Sequence, residues 1–324
     1  MKLSLIIPVY KVEPFIYKCL DSIYKQYRSQ YSLEVILVND GTPDNSMLVI
    51  QPLLEKMPYV HVINQKNQGL SVSRNNGLEA SVGDYVWFID SDDWLLPNAL
   101  TDVFAALDAH RDVAVFSTIL EVNEEDEDRP HNEYNPERGL LSGKQYLTRR
   151  YRQGASQRFI FKRTFLKENR LSFCPGILHE DGLFGYKMLY IAPQVFILDN
   201  PVYAYRIRKQ GSIMSSISMK TPEDLIFIHK ELTKFSESYV KPGDKDWYRT
   251  IIFNILCDLF SFSKYLLKTE EFSDFYKKNK SYIDKEALFV IRSRRCLLSG
   301  LRIFFIPIFY WRARLFFKKV LKKQ

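Results

Sequence analysis

Residues Asp84–Asp93 read D-Y-V-W-F-I-D-S-D-D. A hydrophobic run stops abruptly at three carboxylates. A buried strand over Asp84–Ile89 delivers Asp90, Asp92 and Asp93 together to one edge of a sheet. Like charges this close repel, and each disfavours ionisation of the others. A positive group is therefore expected beside them, and a divalent cation with its phosphates is the economical choice. The alternative is a strand followed by an acid-rich helix start, since Pro97 soon follows. Asp-x-Asp recurs by chance and does not alone decide between the two.

Outward from this stretch, strand and helix signals alternate. Leu3–Pro8 (L-S-L-I-I-P) reads as a buried strand. Pro14 opens a helix whose apolar positions Phe15, Ile16, Cys19, Leu20, Ile23 and Tyr27 recur at helical spacing. Glu34–Val38 is a second strand, ended by Asn39-Asp40-Gly41, and Val60–Asn64 a short third. Gly69–Ser81 reads as a helix, Pro97 starts another, and Val113–Ile119 is a further buried strand. Such alternation predicts a mostly parallel, twisted sheet with helices on both faces. Ligands of these sheets bind beyond the carboxyl ends of the strands. The first strand is followed by Tyr10 and Glu13, the second by Asp40 and the fourth by Asp90–Asp93. A crevice with an acidic floor is expected there.

The acidic run Glu121–Glu137 reads as a solvated loop. Ser142 is placed to cap a helix through Tyr151. Arg158–Phe161 is a strand-like return, Arg163–Asn169 a short helix, and His179-Glu180-Asp181 the start of a helix to about Ile191. Val195–Ile207 is strand-rich, and the pattern is helical from Thr221, with Asp244 before a long helix to Lys268.

The 324 residues are 46% hydrophobic and 26% charged, the composition of a folded protein with room for a large core. Cys19, Cys174, Cys257 and Cys296 lie far apart without Cys-x-x-Cys spacing, which argues against zinc and disulfide frameworks and suits a reducing cytosol. Met1–Pro8 lacks the build of a secretion signal. The net charge of +8 is a local property: Arg292–Gln324 carry ten Lys/Arg and no acid. Without them 36 basic residues face 38 acidic ones, a net of −2. A nucleic-acid binder more often carries its charge on the folded body, so no nucleic-acid partner is expected.

At Gln65–Gly77 a turn at Gly69 leads into a helix whose free N–H groups suit an anion. An ordinary loop-to-helix junction is the plainer reading. The segment is no Walker loop and lacks Gly-x-Gly-x-x-Gly.

Together these segments resemble glycosyltransferase family 2, the inverting sugar transferases of the GT-A fold. The resemblance is carried by Ile6-Ile7-Pro8-Val9-Tyr10, Val38–Ser46, Asn67-Gln68-Gly69-Leu70-Ser71, Arg74-Asn75, Asp90-Ser91-Asp92-Asp93, His179-Glu180-Asp181 and Tyr205–Arg208, and spans roughly Met1–Met214. It implies an α/β GT-A domain, Rossmann-like, over residues 1–215; the residue pattern beyond it, which carries no family signature, gives a helical C-terminal region over 216–291 and a basic aromatic tail over 292–324. It also implies site roles. Pro8, Tyr10 and Glu13 would border the nucleoside, Asp40 would bond the uracil ring, and Asn67 and Gly69 would line the base and ribose pocket. Arg74 would approach the uracil or diphosphate. Asp90, with Ser91, would meet the ribose and metal-bound water, and Asp92 would ligate Mn²⁺ or Mg²⁺ directly. Asp93 is expected to support that cluster or start a helix. Arg206 and Arg208 would close over the diphosphate, as forked guanidinium groups suit phosphate. Asp181, with Glu180 second, would take the acceptor's proton; helix capping is the plainer reading of both.

The implied reaction moves a sugar from a UDP-sugar to a hydroxyl of a saccharide or lipid-linked saccharide in capsule, exopolysaccharide or lipopolysaccharide assembly. A teichoic-acid or protein-linked acceptor is an alternative. Leu297–Trp311 is apolar and aromatic but broken by Arg302 and Pro307, and falls short of the roughly 20 apolar residues of a spanning helix. It suits an interfacial helix on anionic lipid, or a helix packed on protein. The expected location is cytoplasmic, peripheral on the inner face of the membrane. A nucleotidyltransferase and a non-catalytic membrane-bound scaffold are the competing readings. The first lacks its Gly-rich N-terminal loop, and intact Asp92 and Asp181 argue against the second.

Overall fold

The computed structural model describes residues 1–124, 131–132, 139–150, 155–207, 218–262, 266 and 269–292. The chain divides into two compact units: residues 1–176 with 180–212, and residues 177–179 with 213–324.

The first unit is built on one sheet. Its strands are β1 (Lys2–Val9), β2 (Ser32–Asn39), β3 (Val60–Asn64), β4 (Tyr85–Phe88), β5 (Trp94–Leu95), β6 (Val115–Glu124), β7 (His131–Asn132), β8 (Gly139–Leu141), β9 (Phe159–Lys162) and β10 (Val195–Ile207). The order is β3-β2-β1-β4-β9-β6-β10-β5, with β7 beside β6 and β8 beside β10. The parallel sheet expected from the alternation is present over β3-β2-β1-β4. Beyond it the sheet is mixed, because β9 returns antiparallel between β4 and β6 while β6 and β10 run parallel. The acidic run expected to be a loop is partly strand: β6 continues to Glu124 and pairs with β7, and residues 125–130 and 133–138 lie outside the described residues.

The helices are α1 (Ile16–Gln26), α2 (Ser46–Val49), α3 (Gln51–Leu54), α4 (Leu70–Ala80), α5 (Ala99–Ala109), α6 (Gly143–Arg150), α7 (Arg163–Glu168) and α8 (Glu180–Ile191). In α1 the residues Ile16, Cys19, Leu20 and Ile23 are buried at i, i+3, i+4 and i+7, the stripe that holds a helix on a core. Strand β1 alternates: Leu3, Leu5, Ile7 and Val9 join the core shared with α1, while Ile6 faces α4. On that second face a Cβ on Gly77 would meet Ile6 Cγ2 at 2.3 Å, so only glycine lets α4 lie this close to β1. Burial on both faces explains why β1, β2 and β4 are near-continuous apolar runs. Helix α6 starts with a reciprocal cap. Gln145 N–H donates to Ser142 Oγ and Ser142 N–H to Gln145 Oε1.

The second unit carries α9 (Lys220–Ser238), α10 (Lys245–Phe262) and α11 (Glu270–Arg292). Asp244 lies in a 3-10 turn directly before α10. Leu225, Ile228 and Leu232 of α9, Tyr248, Ile252 and Leu259 of α10, and Phe272, Tyr276 and Ile283 of α11 are buried. Two polar ties fix the register: Arg249 grips both oxygens of Glu286 at 2.8 Å, and His229 Nδ1 meets Tyr282 Oη at 2.7 Å. Burial, then the Arg249 charge, pushes His229 down to about 3, so it is neutral at physiological pH. No helix among the described residues is long and apolar enough to cross a membrane. Residues 293–324, and with them the expected interfacial helix, lie outside the described residues.

Candidate active site

The parallel register brings the ends of β1, β2 and β4 to one edge. Tyr10, directly after β1, is 40% exposed there, whereas Pro8 is buried within the strand. Asp40, at the end of β2, is buried and organises the neighbouring loop. Its Oδ1 accepts from Gln65 Nε2 and Gln68 N–H, both at 2.8 Å, and its Oδ2 from Gly69 N–H at 2.9 Å. Gly41 has φ +63° and a Cβ there would press on Asn67 N at 3.0 Å, which explains the glycine after Asp40. Asn67 is exposed and Gly69 forms the N-cap of α4. Glu13 accepts from Asn45 N–H at 3.0 Å and ties the start of α1 to the loop after β2.

The acidic stretch itself separates into three roles. Asp90 Oδ1 meets Arg74 Nη2 at 2.7 Å. Asp92 is half-buried, and its carbonyl accepts from Arg206 Nε at 2.8 Å. Asp93 turns inward: its carboxylate accepts from Tyr203 Oη at 2.7 Å and from Arg206 N–H at 2.8 Å. Burial, then the charges of Asp92 and Asp90, push Asp93 well above the usual carboxylate range. Tyr203 also accepts from Asp90 N–H at 3.1 Å, so one phenol on β10 holds both ends of the turn. Ser91 is buried between them in sequence.

Helix α8 delivers Glu180 and Asp181. The chain enters it through His179 at φ +60°. Glu180 Oε1 meets Arg74 Nη1 at 2.7 Å. Burial, then the adjacent Asp181 charge, push Glu180 up to about 7, while Arg74 pulls the other way. Asp181 is half-buried and its Oδ1 accepts from Gly182 N–H at 2.8 Å. Arg74, expected to approach the uracil or diphosphate, is instead 3% exposed and spans Asp90 and Glu180. Its place follows from α4: Asn75 next to it exchanges hydrogen bonds with Phe173 N–H and C=O at 2.9 and 2.8 Å, pinning the helix.

Arg206 emerges from β10 beside Asp92 with its guanidinium 4.7 Å from the Trp94 ring centre and 5.0 Å from that of Phe15. Arg208 lies outside the described residues. Sequence reasoning passed over Tyr203, Trp94 and Lys18. Trp94 follows the acid run directly and could have been read as its wall. Tyr203 and Lys18 carry no local signal, because one is an alternating strand residue and the other a surface helix position.

Among the described residues no group of three or more His, Cys, Asp or Glu side chains is arranged to hold a metal ion. Asp90 and Asp92 supply hard carboxylate oxygens on one turn. One or two carboxylates completed by substrate phosphates is a donor set that Mg²⁺ accepts. The residues present therefore fit a cation that arrives with, and is shared by, a phosphate-bearing substrate.

Residues 4–170 match the family described as Glycosyl transferase family 2. Over 233 residues the chain is 30% identical to the glycosyltransferase GlyA of Streptococcus pneumoniae, covering 65% of this chain and 31% of GlyA. Over 227 residues it is 29% identical to TarS of Staphylococcus aureus, a poly(ribitol-phosphate) beta-N-acetylglucosaminyltransferase, covering 69% of this chain and 38% of TarS. The chain thus spans only about a third of each of these two relatives. A crystal structure of TarS residues 1–349 with UDP-GlcNAc superposes with a TM-score of 0.68 at 23% identity, covering 94% of this chain and 83% of that one. The mannosyltransferase PcManGT of Pyrobaculum calidifontis, in complex with GDP-Man and Mn²⁺, follows at a TM-score of 0.53 and 17% identity, covering 90% and 85%. These superpositions establish a shared fold, the mixed GT-A sheet flanked by helices with a helical C-terminal region.

Proposed function

The chain belongs to glycosyl transferase family 2, and from that premise we propose that it moves a sugar, with inversion, from a UDP-sugar to a saccharide hydroxyl in cell-surface polysaccharide synthesis. One observation carries the reading: Arg74 ties Asp90, in the acidic turn after β4, to Glu180 at the start of α8, next to Asp181 in the chain. Donor chemistry and acceptor chemistry are thereby held on one framework.

The acceptor oxygen attacks the anomeric carbon as the bond from that carbon to the diphosphate breaks. Asp181 takes the acceptor's proton, because a hydroxyl is a poor nucleophile while it keeps it. Glu180 is held by Arg74 and orients the turn rather than attacking the proton itself. A divalent cation held by Asp92 and Asp90 with the diphosphate would neutralise the leaving group's growing charge. Tyr10, Asn67 and Gly69 border the nucleoside, with Asp40 supporting them. Arg206 faces the diphosphate, and Arg208 is assigned the same task from the resemblance alone.

The organisation proposed is a catalytic region over 1–215, a helical region over 216–291 and a basic tail over 292–324 that holds the protein peripherally on the inner face of the membrane. The resemblance of the catalytic region to TarS, whose printed activity is an N-acetylglucosaminyl transfer, favours an N-acetylhexosamine or hexose donor and keeps a teichoic-acid acceptor in view. The test is a thermal-shift panel of UDP-sugars with Mn²⁺ or Mg²⁺, with and without EDTA. A bound donor at about 100 times its dissociation constant stabilises by about 2.7 kcal/mol. No response to any uridine nucleotide would sink the reading. Retention of a chain lacking 292–324 on anionic vesicles would remove the tail as the anchor.

A further inference from the structure

Lys18, on the exposed side of α1, places its Nζ 3.2 Å from the centre of the Trp94 ring. Arg206 lies against the same ring at 4.7 Å and against Phe15 at 5.0 Å. Arg206 is not free to leave: its N–H donates to Asp93 and its Nε to the Asp92 carbonyl. Among the described residues neither cation forms an ion pair. The contrast with other lysines of the chain is informative. Lys25, Lys234, Lys277 and Lys280 each meet a carboxylate one turn away, at 2.6 to 3.0 Å. Lys18 shares the Trp94 ring with a second cation instead. Burial, then the Arg206 charge, hold it below the usual lysine value. The Asp93 carboxylate in the same turn is taken by Tyr203 and by the Arg206 backbone.

We propose that Lys18 and Arg206, mounted on Trp94, form a two-cation grip for a phosphate oxyanion at the rim of the acidic turn. The proposal rests on the sugar-transfer reading and deepens it. A guanidinium fork and an ammonium together match the oxygens of one phosphate or of a diphosphate. The Trp94 ring holds both cations near one another before the anion arrives. The oxyanion belongs to the donor's diphosphate or to a phosphate on the acceptor. The two sources share the chemistry and separate in the assay.

The experiment compares the full chain with Lys18→Gln and Lys18→Arg. Lys18 is exposed, so both variants are expected to melt with the parent protein. Binding of uridine, UDP and a UDP-sugar is measured by calorimetry with Mg²⁺ present. Transfer is measured to a neutral saccharide and to a phosphate-bearing one. Lys18→Gln is expected to weaken UDP about tenfold while leaving uridine unchanged, which assigns the donor diphosphate. A KM raised about tenfold for the phosphate-bearing acceptor alone assigns the acceptor. In either case Lys18→Arg restores most of the loss, and added salt weakens the parent more than Lys18→Gln. Lys18→Gln indistinguishable from the parent in every arm, with UDP still bound, overturns the grip and leaves the sugar-transfer reading standing. A parent protein that binds neither uridine nor UDP overturns both.

Discussion

The guanidinium of Arg74 reaches Asp90 across 2.7 Å from inside the protein, where the arginine is almost fully buried. The opposite nitrogen of the same group reaches Glu180, also at 2.7 Å. The turn after β4 and the start of α8 are separated by some ninety residues of chain, yet one planar cation sets their distance. A side chain that could have touched the ligand instead builds the frame around it. The phenylalanine ring of Phe173, 5.1 Å from the guanidinium, closes its other side.

Removing Arg74 should therefore cost stability before it costs affinity. Arg74→Met leaves two partly buried carboxylates without their cation, a change expected to cost about 3–5 kcal/mol. Arg74→Lys keeps the charge, but its single ammonium lacks the fork that spans both acids, and it should recover only part of the loss. Urea unfolding of the three proteins reads this directly. Equal midpoints for Arg74→Met and the parent would show that the ion pairs do not hold the frame.

Glu180 gives the protein a distinctive pH dependence. Its folded value of about 7 lies above the ordinary carboxylate value of about 4.3. A carboxyl raised on folding favours the folded state below the unfolded value, and that contribution is lost as pH rises through the folded one. The stability of the parent relative to Glu180→Gln should therefore fall between about pH 4.3 and pH 7, and level off above it. Asp181→Asn removes the second cause of the shift and should move Glu180's titration to lower pH. Urea midpoints collected from pH 4.5 to 8 check the first statement, and a carbon-detected NMR titration of the Glu180 carboxyl the second.

The sheet half of the structure was legible because burial on both faces leaves long apolar runs, and because each run ends in a polar cluster. Val60–Asn64 and Val195–Ile207 were bounded to the residue. Ser142 declared its helix through a capping pattern that the structure realises. What escaped was set by pairing over long sequence distance. Nothing near Phe159–Lys162 says that this strand inserts antiparallel between β4 and β6. Nothing near Arg74 says that its partners are 16 and 106 residues away. The two-residue β5 is shorter than any periodicity can reveal. Acid residues could be found in the sequence, but their division into Asp93 facing in and Asp92 half-exposed depends on Tyr203, a residue on the far strand.

Tyr203 is accordingly a positioning residue with a measurable signature. Tyr203→Phe keeps the ring that packs 5.9 Å from Trp87 but removes the hydroxyl that donates to Asp93 and accepts from Asp90 N–H. A buried carboxyl and a buried N–H lose a partner, at an expected cost of about 1–3 kcal/mol. The turn should loosen, so the Mg²⁺ or Mn²⁺ concentration needed for half-maximal transfer should rise while uridine binding is unchanged. A merely structural tyrosine would lower the melting temperature and leave the metal dependence where it was.

Asp181→Asn tests the proton transfer while leaving the hydrogen-bonded frame of the site in place. Asparagine keeps an oxygen that can accept from Gly182 N–H at the start of α8, so the helix should begin as before. It keeps nearly the same volume, and the frame of Arg74, Asp90 and Glu180 does not pass through it. It cannot take a proton at neutral pH. A positioned base contributes about 10²–10⁴-fold to such a step, and the turnover number should fall by that factor with the UDP-sugar dissociation constant unchanged. The acceptor KM should move little, since the hydroxyl is lost as a nucleophile and not as a ligand. Single-turnover transfer together with calorimetry of donor binding separates these terms. Near-normal turnover in Asp181→Asn would pass the role to Glu180, whose value near 7 and contact with Arg74 would then have to be explained as those of a working base.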